Sequence, residues 1–188
     1  IVAITGPSGC GKSTLLNLLG TLDLPTAGSI FIEGRDIMAY RPFDRFRSAT
    51  VGFVFQFHHL LPTLSLLENV EIPMYAQPVR KAENRRKASW LLEKMGLEER
   101  LHFFPTKVSG GERQRAAIAR ALANDPKIIL ADEPTGSVDS ETGQRILDFL
   151  TAECRQKGIT MLVATHNHEI ASAADRVIRL KNGLIERS

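Results

Sequence analysis

Cysteine and aromatic residues are scarce in this chain. Its 188 residues hold two cysteines, one tryptophan and two tyrosines. Cys10 and Cys154 lie far apart in unlike settings, so no disulfide framework is expected, and a reduced, cytosolic protein is the simpler reading. No run approaches the 18 or so consecutive apolar residues of a membrane-spanning helix, and the apolar stretch Ile128-Ile129-Leu130-Ala131 is strand-sized. Neither charge sign dominates. Lys plus Arg number 24 against 21 Asp plus Glu, a net +3 that is compatible with nucleic acid, an anionic membrane face or a nucleotide and decides for none. Repeats and low-complexity tracts are missing too. With 43% hydrophobic and 24% charged residues, the composition is that of an ordinary globular chain, not a disordered, collagen-like or coiled-coil one. A chain of this length buries roughly 70% of its unfolded surface without staples.

What is present alternates between strand and helix. Apolar runs at 1–5, 51–55, 127–131 and 159–164 read as strands, and a further strand is expected at 29–33. Between them, Lys12 opens a helix that Gly20 stops, and 80–95 is amphipathic with Ala88, Leu91, Leu92 and Met95 on one face. Its basic run Arg85-Arg86-Lys87 reads as a solvated face. Ser109 and Glu112 have capping-box spacing ahead of a helix that buries Ile118, Ala119, Leu122 and Ala123. Residues 140–157 form another helix, with Ile146, Leu147, Leu150 and Cys154 inward. Asn182-Gly183 between 176–180 and 184–186 signals a two-residue hairpin. Unbroken apolar strands separated by helices predict an α/β fold with a parallel sheet covered on both faces. The proline-broken, helix-rich stretch 57–115 reads as a helical subdomain inserted into an α/β core of 1–56 and 116–188, all within one domain. The chain opens at Ile1-Val2-Ala3-Ile4, inside what reads as a buried strand and without an initiator Met, so an upstream segment is expected.

Two motifs carry chemistry. Gly6-Pro7-Ser8-Gly9-Cys10-Gly11-Lys12-Ser13 fits G-x-x-x-x-G-K-[ST], and Thr14 follows it. Glycines let the backbone wrap phosphates, and the helix N-terminus adds N–H donors and a positive dipole end. Lys12 supplies a point charge at the β/γ-phosphates, and Ser13 a hydroxyl for Mg²⁺. Asp132-Glu133 follows an apolar strand, where ligands bind in a parallel sheet. Asp132 can hold Mg²⁺, directly or through water, and Glu133 can orient or deprotonate the attacking water. These residues define a P-loop nucleotide hydrolase.

Val108-Ser109-Gly110-Gly111-Glu112-Arg113-Gln114-Arg115, continuing to Leu130-Ala131-Asp132-Glu133-Pro134-Thr135, resembles the signature region of ATP-binding-cassette (ABC) ATPases across essentially the whole chain. The resemblance implies a P-loop, RecA-like core with an inserted helical subdomain and part of an antiparallel β subdomain. It also implies a head-to-tail dimer around two ATP and Mg²⁺, in which Ser109, Gly110, Gly111 and Glu112 face the nucleotide of the other copy. Gln56 matches the Q-loop glutamine, a Mg²⁺ and water contact. His166 matches the switch histidine, with His168 the weaker candidate. Gly136-Ser137-Val138-Asp139 matches the D-loop, with Asp139 the cross-dimer residue.

Gly52 to Pro62 and Leu67-Glu68-Asn69-Val70 look like the lipoprotein-release and macrolide-efflux (LolD/MacB-like) branch, and the FtsE-like cell-division branch has similar motifs. The family relation implies a peripheral protein at the cytoplasmic face of the cell membrane, driving a membrane permease that docks around Gln56 to Leu67. Leu60 to Leu67 is expected to line the groove that receives it. A nucleic-acid-associated ABC ATPase is the more distant alternative. The chain has no coiled-coil insertion, no duplicated cassette and no aromatic-basic interleaving, and no nucleic acid is expected.

The family's adenine-stacking aromatic lies upstream of residue 1, and Tyr40 and Trp90 have no motif reason to replace it. His58 and His59 are adjacent, which aims them poorly at one metal ion. Cys10 stands where Ser is frequent in the family, and bulky alkylation there is expected to block ATP binding.

Overall fold

The structure, a computed structural model, describes residues 1–186 except Val79 and Ser137. The apolar runs become β1 (Val2–Thr5), β4 (Val51–Val54), β5 (Ile128–Asp132), β6 (Thr160–Ala164) and β7 (Arg176–Lys181). Among the described residues they form a six-stranded sheet in the order β4-β5-β6-β1-β7-β8, parallel except for β8 (Leu184–Ile185). Asn182 and Gly183 make the predicted hairpin, with φ 49° and 77°. The strand expected at 29–33 is shorter, β2 (Phe31–Ile32), paired with an unforeseen β3 (Arg35–Asp36) in a separate antiparallel hairpin.

Side-chain alternation along the strands builds two cores. Ala3, Ile129, Ala131, Met161 and Val163 face one side, and Ile4, Leu130 and Ala164 the other. The second side is covered by α1 (Lys12–Leu19) and α2 (Phe43–Thr50), through Leu16 and Phe46. The first is covered by α3 (Leu66–Glu71), α4 (Lys81–Lys94), α5 (Gly110–Leu122) and α6 (Ser140–Lys157). A strand buried on both faces has no polar side to show, which is why these strands read as continuous apolar runs.

The predicted helix faces are buried: Ala88, Leu91, Leu92 and Met95 on α4, and Ile146, Leu150 and Cys154 on α6, with Leu147 partly buried. Burial pushes the Cys154 thiol up to about 11, as suits an inert core cysteine. Of the basic run on α4, Arg85 and Arg86 are exposed, whereas Lys87 pairs with Asp125. Asp125 also takes Lys157 at 3.4 Å, so this carboxylate ties α4 to α6. Burial disfavours the charged Asp125, yet the bonds and charge of Lys87 and then Lys157 hold its pKa below the ordinary value.

Helix α3 adds to the elements read from the sequence, and Ser65 and Glu68 repeat the capping-box spacing at its start. Ser65 N–H donates to Glu68 Oε2 at 2.8 Å, and Glu68 N–H to Ser65 Oγ at 3.2 Å. The same helix corrects an expectation. Leu66 and Leu67 do not line an open groove; they are buried in the core shared with α4, α5 and the sheet.

Strand β4 lies so close to α5 that Gly52 has no room for a side chain. A Cβ there would sit 2.3 Å from the carbonyl oxygen of Ala121. Gly52→Ala is therefore expected to destabilise the fold by about 1–3 kcal/mol, the range of overpacking. Chemical denaturation checks it, with an unchanged midpoint as the contrary result.

Candidate nucleotide site

The parallel register brings four strand ends level. Ile4 and Asp132 both pair with Ala164, and Val54 pairs with Ala131. The loops that leave these ends carry the predicted residues. After β1 the chain turns at Gly6, whose φ of 146° suits only glycine and where a Cβ would meet the Leu180 carbonyl oxygen at 2.2 Å. Gly11 begins α1 in the left-handed region and offers its first turn no side-chain acceptor. The first N–H groups of α1 are thus left for an anion, beside exposed Ser13 and Thr14. Pro7, Ser8 and Gly9 form the exposed rim. Lys12 Nζ fills the loop itself, donating to the carbonyl oxygens of Gly6 at 2.8 Å and Pro7 at 3.1 Å.

Cys10 differs from its expected setting. It is only 4% exposed, packed with Ile4, Leu16 and Leu180, and its thiol lies beneath the loop and not in it. Its sulfur still reaches the loop lysine, with Lys12 Nζ donating to Cys10 Sγ at 3.9 Å, and Cys10 N–H donates to Pro7 O at 3.3 Å. A large concavity of about 1490 Å³ runs along β7 and touches the loop only at Gly6 and Pro7, without Lys12, Ser13, Asp132 or Glu133. Ser13, Gln56 and His166 are exposed, so the chemistry sits on an open edge.

Beside the loop, Asp132 ends β5 half-buried. Glu133 takes a positive φ of 47° and donates its N–H to Ala164 O at 2.9 Å, which swings its side chain over the end of β6. There the carboxylate accepts the His166 N–H at 3.0 Å and the Thr165 hydroxyl at 3.4 Å, and it lies 2.7 Å from His166 Nδ1. That ring nitrogen donates when it carries the proton, leaving exposed Nε2 to face outward. His168 opens α7 (His168–Ala173) instead and has no such bond to Glu133 among the described contacts.

Gln56 lies two residues beyond the end of β4, exposed in the following turn. That turn is fixed from behind. Arg120 on α5 donates to His58 O and His59 O, each at 2.6 Å, and both histidines sit at positive φ, 63° and 48°. Burial pulls the guanidinium pKa down to about 10, so it stays charged at neutral pH. Phe57 beside it is 76% exposed.

Ser109 caps α5 as predicted. Glu112 N–H donates to Ser109 Oγ at 3.2 Å, Ser109 N–H to Glu112 Oε2 at 2.8 Å, and Arg100 Nε to Glu112 Oε1 at 3.1 Å. Gly110 and Gly111 form the first turn, where a Cβ on Gly111 would come within 3.3 Å of Val138 Cγ1. Asp139 caps α6 by accepting the Thr142 N–H at 2.9 Å, which lowers its pKa. Ser137 lies outside the described residues. Helices α1 and α5 pack on opposite faces of the sheet.

Arg120 and Gln114 carry no role in the motif reading. The signal for Arg120 is a charged residue between Ala119 and Ala121; Gln114 lies between Arg113 and Arg115, and only its place one turn before Ile118, on the apolar face of the helix, marks it. Tyr40 is engaged structurally, its hydroxyl donating to Ile32 O at 2.9 Å.

A glycine loop between parallel strand and helix, a lysine inside it, and an Asp-Glu pair at a neighbouring strand end define a P-loop nucleotide-binding domain. Within that class the chain belongs to the ABC transporter family, whose profile matches residues 1–136. It is 49% identical over 185 residues to a lipoprotein-releasing system ATP-binding protein LolD of Hyphomonas neptunium, covering 97% of this chain and 81% of that protein. An uncharacterized ABC transporter ATP-binding protein of Thermotoga maritima is 50% identical over 187 residues, 98% of this chain and 80% of its own length. The ATP-binding cassette MJ0796, solved as a dimer in a post-hydrolysis state bound to ADP and Pi, superposes with a TM-score of 0.93 at 42% identity, covering 100% of this chain and 83% of that one.

Two outcomes follow from this geometry. In the native protein Cys10 resists bulky thiol reagents, and denaturant releases it; rapid labelling of the folded chain, read by mass spectrometry, is the contrary result. The Ser109 backbone bond, against the opposing effect of burial, holds the Glu112 pKa below its ordinary 4.5. A depressed carboxylate gives stability that is full above its unfolded pKa and is lost as pH falls through the folded value. Glu112→Gln keeps an acceptor that does not titrate, so its melting temperature should fall less than the parent's between about pH 6 and about pH 3. Equal falls would show that the cap does not contribute.

Proposed function

We propose that this chain is the ATP-hydrolysing subunit of a membrane transporter, working as a head-to-tail dimer. The supporting observation is the placement of its two anion-ready helix starts. Lys12 and Ser13 open α1 on one face of the sheet, and Ser109 to Gly111 open α5 on the other. Two copies related by a two-fold axis bring each kind of start to the same nucleotide, and the open edge of the site becomes enclosed only then. That the cassette MJ0796 was solved as a dimer bound to ADP and Pi supports a dimer here.

ATP enters as substrate. Lys12 gives up the carbonyls of Gly6 and Pro7 for phosphate oxygens, and the backbone of residues 6–14 cradles the remainder. Glu133 takes the proton of the attacking water, and His166, already bonded to that carboxylate, orients it and reaches the γ-phosphate side. Gln56 positions the water. The donor set fits Mg²⁺ arriving with phosphates: one hydroxyl (Ser13), one carboxylate (Asp132) and the Gln56 amide are hard oxygen ligands, too few for a resident ion. When bound there, the ion neutralises phosphate charge. Glu112 and Asp139 hold the helix starts that meet across the dimer. Residues 57–115 are the helical unit of this reading and 1–56 with 116–188 its core, and α5 runs from one into the other.

The relatives named for lipoprotein release favour a permease of that kind, at the cytoplasmic face of the membrane. Its docking surface is the exposed part of the Gln56–Leu67 stretch, around Phe57 and Leu61. A groove of about 250 Å³ beside it, lined by Phe55, His59, Ile72 and Pro73, suits an apolar helix end.

Sedimentation of Glu133→Gln with and without Mg-ATP tests the reading. The expected result is ATP-dependent dimer with turnover lowered at least about 100-fold, the scale of losing a general base. Normal turnover, or a persistent monomer with ATP bound, would overturn it.

A further inference from the structure

Gln114 sits in the second turn of α5 with 0% exposure. It lies on the stripe continued by Ala117, Ile118, Ala121 and Leu122, where packing alone asks for an apolar side chain. Burying an amide is costly unless it is paired. Its Nε2 donates to Pro134 O at 2.7 Å, and its Oε1 has no partner among the described residues. The side chain thus keeps a half-satisfied amide in the core for a single bond, and that bond ends on the residue next to Glu133.

Glu133 needs such support. A non-glycine residue at φ 47° is held against its own preference. From the sheet side, Glu133 N–H donates to Ala164 O at 2.9 Å, and Gly136 N–H closes the turn on Glu133 O at 3.1 Å. Pro134 has no N–H to offer, so its carbonyl is the one backbone group through which that residue can be anchored by a hydrogen bond. Gln114 supplies the anchor from α5.

We propose that Gln114 is a positioning residue for hydrolysis. It fixes the Glu133-Pro134 turn so that the carboxylate meets the attacking water, and it makes the position of that carboxylate depend on the position of α5. Since α5 begins at the segment that meets the second copy's nucleotide, closure of the dimer and alignment of the base become one event. The inference rests on Glu133 acting as the base.

The test measures steady-state ATP hydrolysis and ATP affinity in the full-length protein for Gln114→Met, Gln114→Glu and Glu133→Gln. Gln114→Met, similar in length but without a donor, is expected to lower kcat by about 10- to 100-fold, as displaced catalytic groups do, with KM and ATP affinity changed less than about twofold. Gln114→Glu sets a carboxylate against the Pro134 carbonyl at neutral pH. Its kcat relative to the parent should recover as pH falls and the protonated acid donates to that carbonyl again. A filler of core volume would show no such recovery.

If Glu133→Gln is inactive while both Gln114 variants keep full kcat, this proposal alone is overturned. Loss of kcat and ATP affinity in parallel, without acid recovery in Gln114→Glu, also overturns it, in favour of a purely structural role. Should Gln114→Met fail to fold, the pH profile of Gln114→Glu decides by itself. Normal turnover in Glu133→Gln removes the base assignment and this proposal with it.

Discussion

Level carboxyl ends of parallel strands are the constraint on which the site depends. Because β1, β5 and β6 are paired in register through Ile4, Ala164 and Asp132, the loops that follow them emerge side by side. Each loop then needs only a few residues to deliver a lysine, a carboxylate pair and a histidine to one edge. An antiparallel arrangement would send alternate loops to the opposite edge. The cost of the parallel arrangement is that both faces must be covered, and α1 on one side and α3 to α6 on the other do so. The same two-sided cover separates the two helix starts that the proposed nucleotide needs, so the demand for a second copy comes from the sheet itself.

Helix α5 is the second organising element. It packs so tightly on β4 that Gly52 cannot carry a Cβ, and within that close contact it holds two polar side chains that a simple core would not contain. Arg120 fixes the carbonyls that follow Gln56, and Gln114 fixes the carbonyl that follows Glu133. Breaking a buried charged or amide pairing costs several times what a neutral surface bond contributes. Both loops are therefore tied to α5 by hydrogen bonds. A helix that begins at the proposed dimer contact and grips both loops further along is a rigid lever, and no flexible relay is required.

Much of this was legible in the sequence because the signals are local. The glycines and lysine of 6–13, the Ser109–Glu112 cap and the apolar stripes of α4 and α6 are set by spacing along one element. Less legible were features that depend on what lies opposite. The Cys10 position is readable within the loop, but its burial is set by Leu16 and Leu180 from other elements. Leu66 and Leu67 look like a groove wall until α4 and α5 cover them. Arg120 and Gln114 point to carbonyls 61 and 20 residues away, which no spacing rule reaches. Helix α3 is the exception, since its Ser65-Glu68 cap could have been read by the rule that found α5.

The two charged groups of the proposed site are engaged in different ways. Lys12 is bonded to the carbonyls of its own loop, and the Glu133 carboxylate accepts from the backbone and ring of His166. Both charged groups thus have partners within the chain. Phosphate must displace the carbonyls from Lys12, a favourable exchange because an anion replaces neutral acceptors around an ammonium. The attacking water gains no such advantage at Glu133 unless the carboxylate is held facing it. On the proposed reading, binding proceeds on one chain, whereas water activation requires the turn that Gln114 of α5 anchors. That asymmetry gives a physical reason for a cassette to bind ATP before closing and to hydrolyse it only afterwards.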